Sequence, residues 1–306
     1  MANCARLVTP SQCHCLCPHC TLLSDCFSCG CYRRAMACHA HLMGFTQDTA
    51  VTYIDGAGHI TISDHWSIGD KPNGGYLLAI VLNAMQQKVA QPDPISVTTH
   101  FSRPTSEGLA ATIDVEVIRT GRTTSLVTGV LYQDGKERIR STAVFGDLTT
   151  VGPDHEIIIE PPTIAPFGDC VSRMGHLQGV DISMLDQIEV RIDPSQSVAG
   201  GGTEAAVTAW VQLRDGTEPD VIAAAMFSDA LPPAIFTTLG RVGWVPTVEL
   251  TVQVRRRPAP GPMLAELVCR DLSNGLMIED AKVWDATGAL CVQARQLAML
   301  LSGETS

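Results

Sequence analysis

The stretch VELTVQVRRRPAPG at residues 248–261 lies over SVTTHFSRPTSEG at 96–108. Each is a run of β-formers closed by an Arg/Pro break and a glycine. The overlay pairs Gly261 with Gly108, an offset of 261 − 108 = 153, and the same offset pairs Gly288 with Gly135, where both copies turn. The strands predicted around them match in kind. In the first copy they are ISVTTHF (95–101), ATIDVEV (111–117), TTSLVTGVLY (123–132) and ERIRSTAVF (137–145). In the second, AELVCR, IEDAKVWD and LCVQARQLAML follow the opening stretch. Asp134-Gly135 is a strong hairpin signal between the last two strands of the first copy.

Each strand set is preceded by an apolar helical segment. From Asp64 the first copy runs through a Gly/Pro-rich loop, WSIGDKPNGG (66–75), into GYLLAIVLNAMQQ, which is apolar almost all round, as a buried helix is. The second copy has PDVIAAAMFSDALPPAIFTTLG (219–240), itself preceded by the strand-like runs QIEVRID (187–193) and AAVTAWVQL (205–213). The chain therefore reads as two α+β units, a pseudo-twofold dimer fused in one polypeptide. The expected boundaries are a tail at 1–42, a first repeat at 43–150, a Pro-rich linker at 151–186 and a second repeat at 187–306.

A net charge of −11 over 306 residues argues against a nucleic-acid binder, since phosphate contacts need a clustered basic surface. No apolar run approaches the ~18–20 residues that cross a bilayer, and no basic-then-apolar leader opens the chain. A cytoplasmic protein is expected. Nine of the twelve cysteines lie between Cys4 and Cys38, leaving Cys170, Cys269 and Cys291 as buried reduced thiols. Cys17–Cys20 and Cys26–Cys29 could chelate zinc, but the gap between the pairs is far shorter than the ~15–20 residues usual in a four-cysteine site. A metal knuckle, a disordered extension and an over-long reading frame all remain open. The abrupt change of character at Met43 favours the last, so no metal is expected.

Where two copies of one unit differ, a polar residue is harder to blame on the fold. At the 153 offset Gln296 faces Ala143 and Thr247 faces Pro94, while Ser228-Asp229 falls near Gly74-Gly75. The asymmetry predicts one site rather than two. Gln296 is flanked on its own strand face by Ala294 and Ala298, so it is either an edge polar group or a residue given room to reach a ligand, and the second is favoured. An Asp just ahead of Pro232-Pro233 is also a natural helix N-cap, and a Thr opening a strand is also a good β-former. His100 reads as a core histidine.

PNGGYLLA, THFSRP and the VLYQDG hairpin in the first half, with FSDALP, PTVELTV and ARQLAML in the second, resemble the acyl-CoA thioesterase II family over roughly residues 44–301. The resemblance implies a double hotdog: two antiparallel sheets, each wrapped around a central helix. It implies hydrolysis of acyl-CoA thioesters without a cofactor. The attacking water would be held by an Asp, a Thr or Ser and a Gln, which by motif are Asp229, Thr247 and Gln296. Gln253-Val254 stands where relatives often read His-Phe, which bears on substrate fit. Thioester hydrolysis needs a proton acceptor and donors for the developing oxyanion. The backbone N–H groups of Gly74 and Gly75 are candidates for the second role. Arg103, Arg122, Arg255 and Arg257 are candidates for the CoA phosphates, and strand alternation would put Arg255 and Arg257 on one side. A basic strand edge that discourages pairing is the bland reading of that run.

Two other functions fit the same architecture, a hotdog enoyl-CoA hydratase and a non-catalytic acyl or polyketide carrier. The hydratase would need an adjacent Asp and His, for which the sequence offers Asp64-His65 and Asp154-His155. No Gly-x-Ser-x-Gly elbow is present. Oligomerisation of the fused chain is left open.

Overall fold

The computed structural model describes residues 44–150, 157–173, 180–196, 198–241 and 243–301. The cysteine-rich stretch expected to be a separate tail lies outside them.

The first half opens with α1 (Phe45–Asp48) and the hairpin β1 (Thr52–Ile54) and β2 (Ala57–Thr61). The short pair β3 (Ser67–Ile68) and β4 (Lys71–Pro72) leads into α2 (Gly74–Gln86), and β5 (Asp93–Phe101), β6 (Ala110–Thr120), β7 (Ser125–Gln133) and β8 (Lys136–Gly146) complete the unit. The second half contains β9 (Val171–Ser172), α3 (Met184–Gln187), β10 (Ile188–Ile192), β11 (Ala206–Leu213), α4 (Val221–Phe227), α5 (Phe236–Leu239), β12 (Thr247–Val254), β13 (Met263–Ser273), β14 (Leu276–Trp284) and β15 (Leu290–Met299).

The two expected sheets join into one. Its thirteen strands run β1-β2-β6-β7-β8-β5-β12-β15-β14-β13-β11-β10-β9, with β5 and β12 antiparallel at the centre. Pairing these two strands removes the exposed edge that each half would otherwise present. The repeat is visible in the register: Thr98 pairs with Thr251, and their hydroxyls lie 3.0 Å apart across a separation of 153 residues. Positions related by the repeat meet each other only on the twofold axis, so the axis passes here. The irregularity in β12–β15 between Thr247 and Glu249 recurs in β5–β8 between Pro94 and Ser96, again at 153. Asp134 and Gly135 both have positive φ, as a two-residue hairpin turn requires.

α2 is buried from Gly75 to Met85 with few breaks, which explains its lack of a polar face. Its N-cap is Asn73, whose Oδ1 accepts from the Tyr76 N–H at 2.9 Å. The helical region expected at 219–240 is two helices with Ser228–Ile235 between them. Pro232 and Pro233 supply no N–H there, so the helix cannot run through. The segment expected as a linker contributes β9 to the sheet edge, and its carbonyls at Ile159 and Ala165 accept from the indole N–H groups of Trp284 and Trp210.

Two sequence expectations are corrected. Residues Arg255–Arg257 lie beyond the end of β12, a central strand, so they neither alternate on one strand face nor guard an edge. His100 is exposed rather than a core residue.

Candidate active site

The axis that passes between Thr98 and Thr251 also runs close to the contact of Asp229 with the start of α2. Gly75 donates its N–H to Asp229 Oδ2 at 2.8 Å, across a separation of 154 residues. Asn73 Nδ2 donates to the Asp229 carbonyl at 2.9 Å and to Oδ2 at 3.3 Å. Both side-chain bonds land on Oδ2, and Oδ1 takes part in neither.

Asp229 therefore caps no helix of its own half. Asp220 caps α4, accepting from Ile222 and Ala223, and α5 has no side-chain cap. The carboxylate instead sits at the N-terminal end of α2, where unpaired N–H groups and the helix dipole favour negative charge.

The close approach depends on Gly74 and Gly75. A Cβ at Gly75 would stand 2.6 Å from the Met226 carbonyl oxygen, and one at Gly74 would stand 2.8 Å from Asp229 Oδ2. The Gly75 N–H is thus engaged by Asp229, and is not the free oxyanion donor expected of it.

Asp229 is half-buried, and desolvation pushes its pKa up to about 6, opposed by the bonds from Gly75 and Asn73. At neutral pH such a group is mostly ionised and still basic enough to take a proton.

Gln296 faces inward on β15 between Ala294 and Ala298 and is 7% exposed, a buried position rather than an edge one. Its Nε2 donates to Thr247 Oγ1 at 2.6 Å. The bulge in β12 sets Thr247 in register with Ala298, one step along the same face. The Gln296 carbonyl and the Thr247 hydroxyl proton keep their capacity for a further partner.

Two residues at the site were not singled out from the sequence. Asn73 was legible as the polar residue just before a Gly-Gly helix start. Glu279 was not: it is 3% exposed on the inward face of β14, directly opposite Gln296, and accepts from the Ala234 N–H at 2.7 Å. Burial pushes its pKa up to about 8, and the neighbouring Asp229 charge adds to the rise.

The arginines divide. Arg257 makes a two-pronged pair with the buried Asp93, Nε to Oδ1 at 2.9 Å and Nη2 to Oδ2 at 3.0 Å, so it joins the two halves rather than standing free for a phosphate. Arg103 is exposed and bonds the Glu137 carbonyl. Arg122 and Arg255 are exposed. His65 lies 3.5 Å from Asp48 and 3.7 Å from Asp64, beside the stacked rings of Trp66 and Tyr76. Asp154 and His155 lie outside the described residues. Among the described residues no group of three or more His, Cys, Asp or Glu could hold a metal ion, and no helix is long and apolar enough to cross a membrane.

Two family models match consecutive parts of the chain: an acyl-CoA thioesterase N-terminal domain over residues 62–146 and an acyl-CoA thioesterase C-terminal domain over 167–300. An uncharacterised protein of Mycobacterium tuberculosis is 27% identical over 269 residues, covering 78% of this chain and 89% of its own length. Among solved structures, a Thermobifida fusca protein assigned as a thioesterase II is 29% identical with a TM-score of 0.75, covering 84% of this chain and 97% of its own. A protein of unknown function with a hot dog fold from Alicyclobacillus acidocaldarius has the same TM-score of 0.75 at 22% identity, covering 84% and 98%, a likeness of fold.

Proposed function

The chain belongs to the acyl-CoA thioesterase family, and from that membership we propose that it hydrolyses acyl-CoA thioesters to the free acid and CoA, using a water held by Asp229, Thr247 and Gln296. One observation carries the reading. A half-buried carboxylate with a raised pKa is oriented by Gly75 and Asn73 at the meeting of the two halves, and only the second half supplies it.

Asp229 takes a proton from the water as its oxygen attacks the thioester carbonyl. Thr247 and Gln296, already bonded to each other, orient that water. The oxyanion candidate is the Gly74 N–H in the first turn of α2, with the helix dipole behind it. When the tetrahedral intermediate collapses, the C–S bond breaks and the proton held by Asp229 passes to the CoA thiolate. Exposed Arg103, Arg122 and Arg255 are the candidates for the CoA phosphates. The site acts without a cofactor.

The test is a panel of acyl-CoAs of increasing chain length, with released CoA measured by thiol titration. Thiol release that saturates with substrate, and is lost in Asp229→Asn, supports the reading. Tight acyl-CoA binding with no release at any chain length would make the protein a carrier and overturn it.

A further inference from the structure

Glu279 is a carboxyl group placed where a hydrophobic side chain would be expected. It lies between the buried Met277 and Ala281 on the inward face of β14. In the first half, the strand pairing that sets Glu279 opposite Gln296 sets Val127, wholly buried, opposite Ala143. Burying a carboxyl in place of a valine is costly unless it is matched by hydrogen bonds.

Its partner is informative. Ala234 is buried and follows Pro232-Pro233, in the segment Ser228–Ile235 that breaks the second helical region and carries Asp229. With no N–H on either proline, the Ala234 N–H is the first donor after the break, and Glu279 Oε2 accepts it at 2.7 Å. One side chain of the sheet thus holds the loop on which the proposed base sits.

We propose that Glu279 is a positioning residue of this site: through the Ala234 N–H it fixes the segment bearing Asp229, and as a buried, uncharged carboxyl it puts no second negative charge beside Asp229. This rests on the thioesterase reading above. The titratable groups that face it are Asp229 from the loop and Cys269 from β13, its other cross-strand neighbour, with uncharged Gln296 on β15. Burial and the Asp229 charge keep the proton on Glu279 up to about pH 8, while Asp229 titrates near 6. Two neighbouring carboxyls pushed apart in this way take different roles. Above that range a second carboxylate would repel the developing oxyanion, and turnover would fall.

The experiment is a set of pH profiles of kcat and KM for the parent, Glu279→Leu and Glu279→Gln. Glu279→Leu removes the acceptor for Ala234, and kcat should fall about 10²-fold, the effect of a small misplacement of a catalytic group, with KM little changed. Glu279→Gln keeps an acceptor and cannot ionise. It should recover most of that loss and lack the alkaline limb of the parent.

Two further readouts do not need turnover. Carboxyl NMR should find the Asp229 pKa in Glu279→Gln near its parental value, because one neutral group replaces another. The parent should lose thermal stability as pH rises from the ordinary glutamate range towards 8, since the unfolded chain releases the Glu279 proton first; Glu279→Gln should lose less. Full activity in Glu279→Leu would overturn the positioning role. A parental alkaline limb, or a lowered Asp229 pKa, in Glu279→Gln would overturn the neutral carboxyl. A parent that hydrolyses no acyl-CoA would sink the thioesterase reading, while the NMR and thermal measurements would still judge Glu279.

Discussion

Two cross-strand pairs occupy the same place in the two halves: Ala143 opposite Val127 in the first, and Gln296 opposite Glu279 in the second. Pro94 and Thr247 make a third matched position, each at the same irregularity beside the central strand pair. The first-half residues are apolar and buried and do what a sheet face over a helix has to do. The second-half residues carry an amide, a carboxyl and a hydroxyl on that same face. Polar groups so placed cost stability unless they are paired, and here they are: Gln296 with Thr247, and Glu279 with Ala234. The difference also runs the other way, since buried Thr99 and Ser141 bond each other at 2.9 Å where the second half has Val252 and Ala294. That pair is closed on itself. In the second half the bonds lead towards the loop carrying Asp229.

The largest expected effect comes from removing the charge that only the second half owns. In Asp229→Asn the side-chain oxygen can still accept from Gly75, so thermal stability and KM should stay near the parental values. Without the proton acceptor, kcat should drop by about 10²–10⁴. In the parent, the acid limb of the kcat profile should lie near pH 6, where Asp229 becomes protonated on lowering the pH. An Asn variant with near-parental turnover would reduce Asp229 to a cap on α2.

Next is the matched pair Gln296→Ala and Ala143→Gln. The first should lower kcat by about 10²–10³, the cost of losing one orienting hydrogen bond in a preorganised site. The second should create no site, because the first half has Gly74-Gly75 where the second has Ser228-Asp229. It should cost about 1–3 kcal/mol of stability, since Ala143 is wholly buried and a larger side chain must displace its neighbours. Equal, small effects of the two changes would end the argument from asymmetry.

A smaller effect is expected at Gly75→Ala. The added methyl would stand 2.6 Å from the Met226 carbonyl oxygen, which is backbone and cannot swing aside. α2 and α4 must part slightly, with about 1–3 kcal/mol lost as for overpacking. The bond from Gly75 to Asp229 would lengthen, so kcat should fall more than KM rises. A variant with parental Tm and kcat would show that the two halves approach less closely at this point.

Much of this was legible in the sequence because the repeat could be compared with itself. The 153 offset, the Asp134-Gly135 hairpin and the face that Gln296 shares with Ala294 and Ala298 follow from counting glycines and alternation. The hairpin of β1 and β2 was missed, although Asp55-Gly56 carries the same signal as Asp134-Gly135, because its strands are short and their apolar residues few. Glu279 was hidden for another reason. In the run IEDAKVWD, Glu279 and Asp280 are adjacent carboxylates, and which one faces inward depends on the strand's register with β15. A shift of one residue would bury Asp280 instead, and the offset of 153 leads to Leu126 rather than Val127, because the two hairpins differ in length by one residue. The partnership of Asp229 with Gly75 needs the fold itself, since 154 residues separate them.

The smallest expected effect concerns the other bond that joins the halves. Arg257 belongs to the second half and Asp93 to the first, and the pair closes the sheet seam away from the helix contact. Asp93 is almost wholly buried and also accepts from the Leu148 N–H, whereas the Arg257 side chain is 46% exposed. Arg257→Ala would leave a buried carboxylate with its backbone donor but without its cation. Because water reaches the guanidinium side, the loss should be about 1 kcal/mol rather than the several of a fully buried pair. KM for acyl-CoA should not move, since this guanidinium is already committed to a carboxylate. Arg255→Ala, by contrast, should leave Tm alone and raise KM if that side chain meets a CoA phosphate. A raised KM in Arg257→Ala with no change in Tm would turn the comparison round, making Arg257 a substrate contact and leaving the helix seam at Gly75 and Asp229 to hold the halves together with β5 and β12.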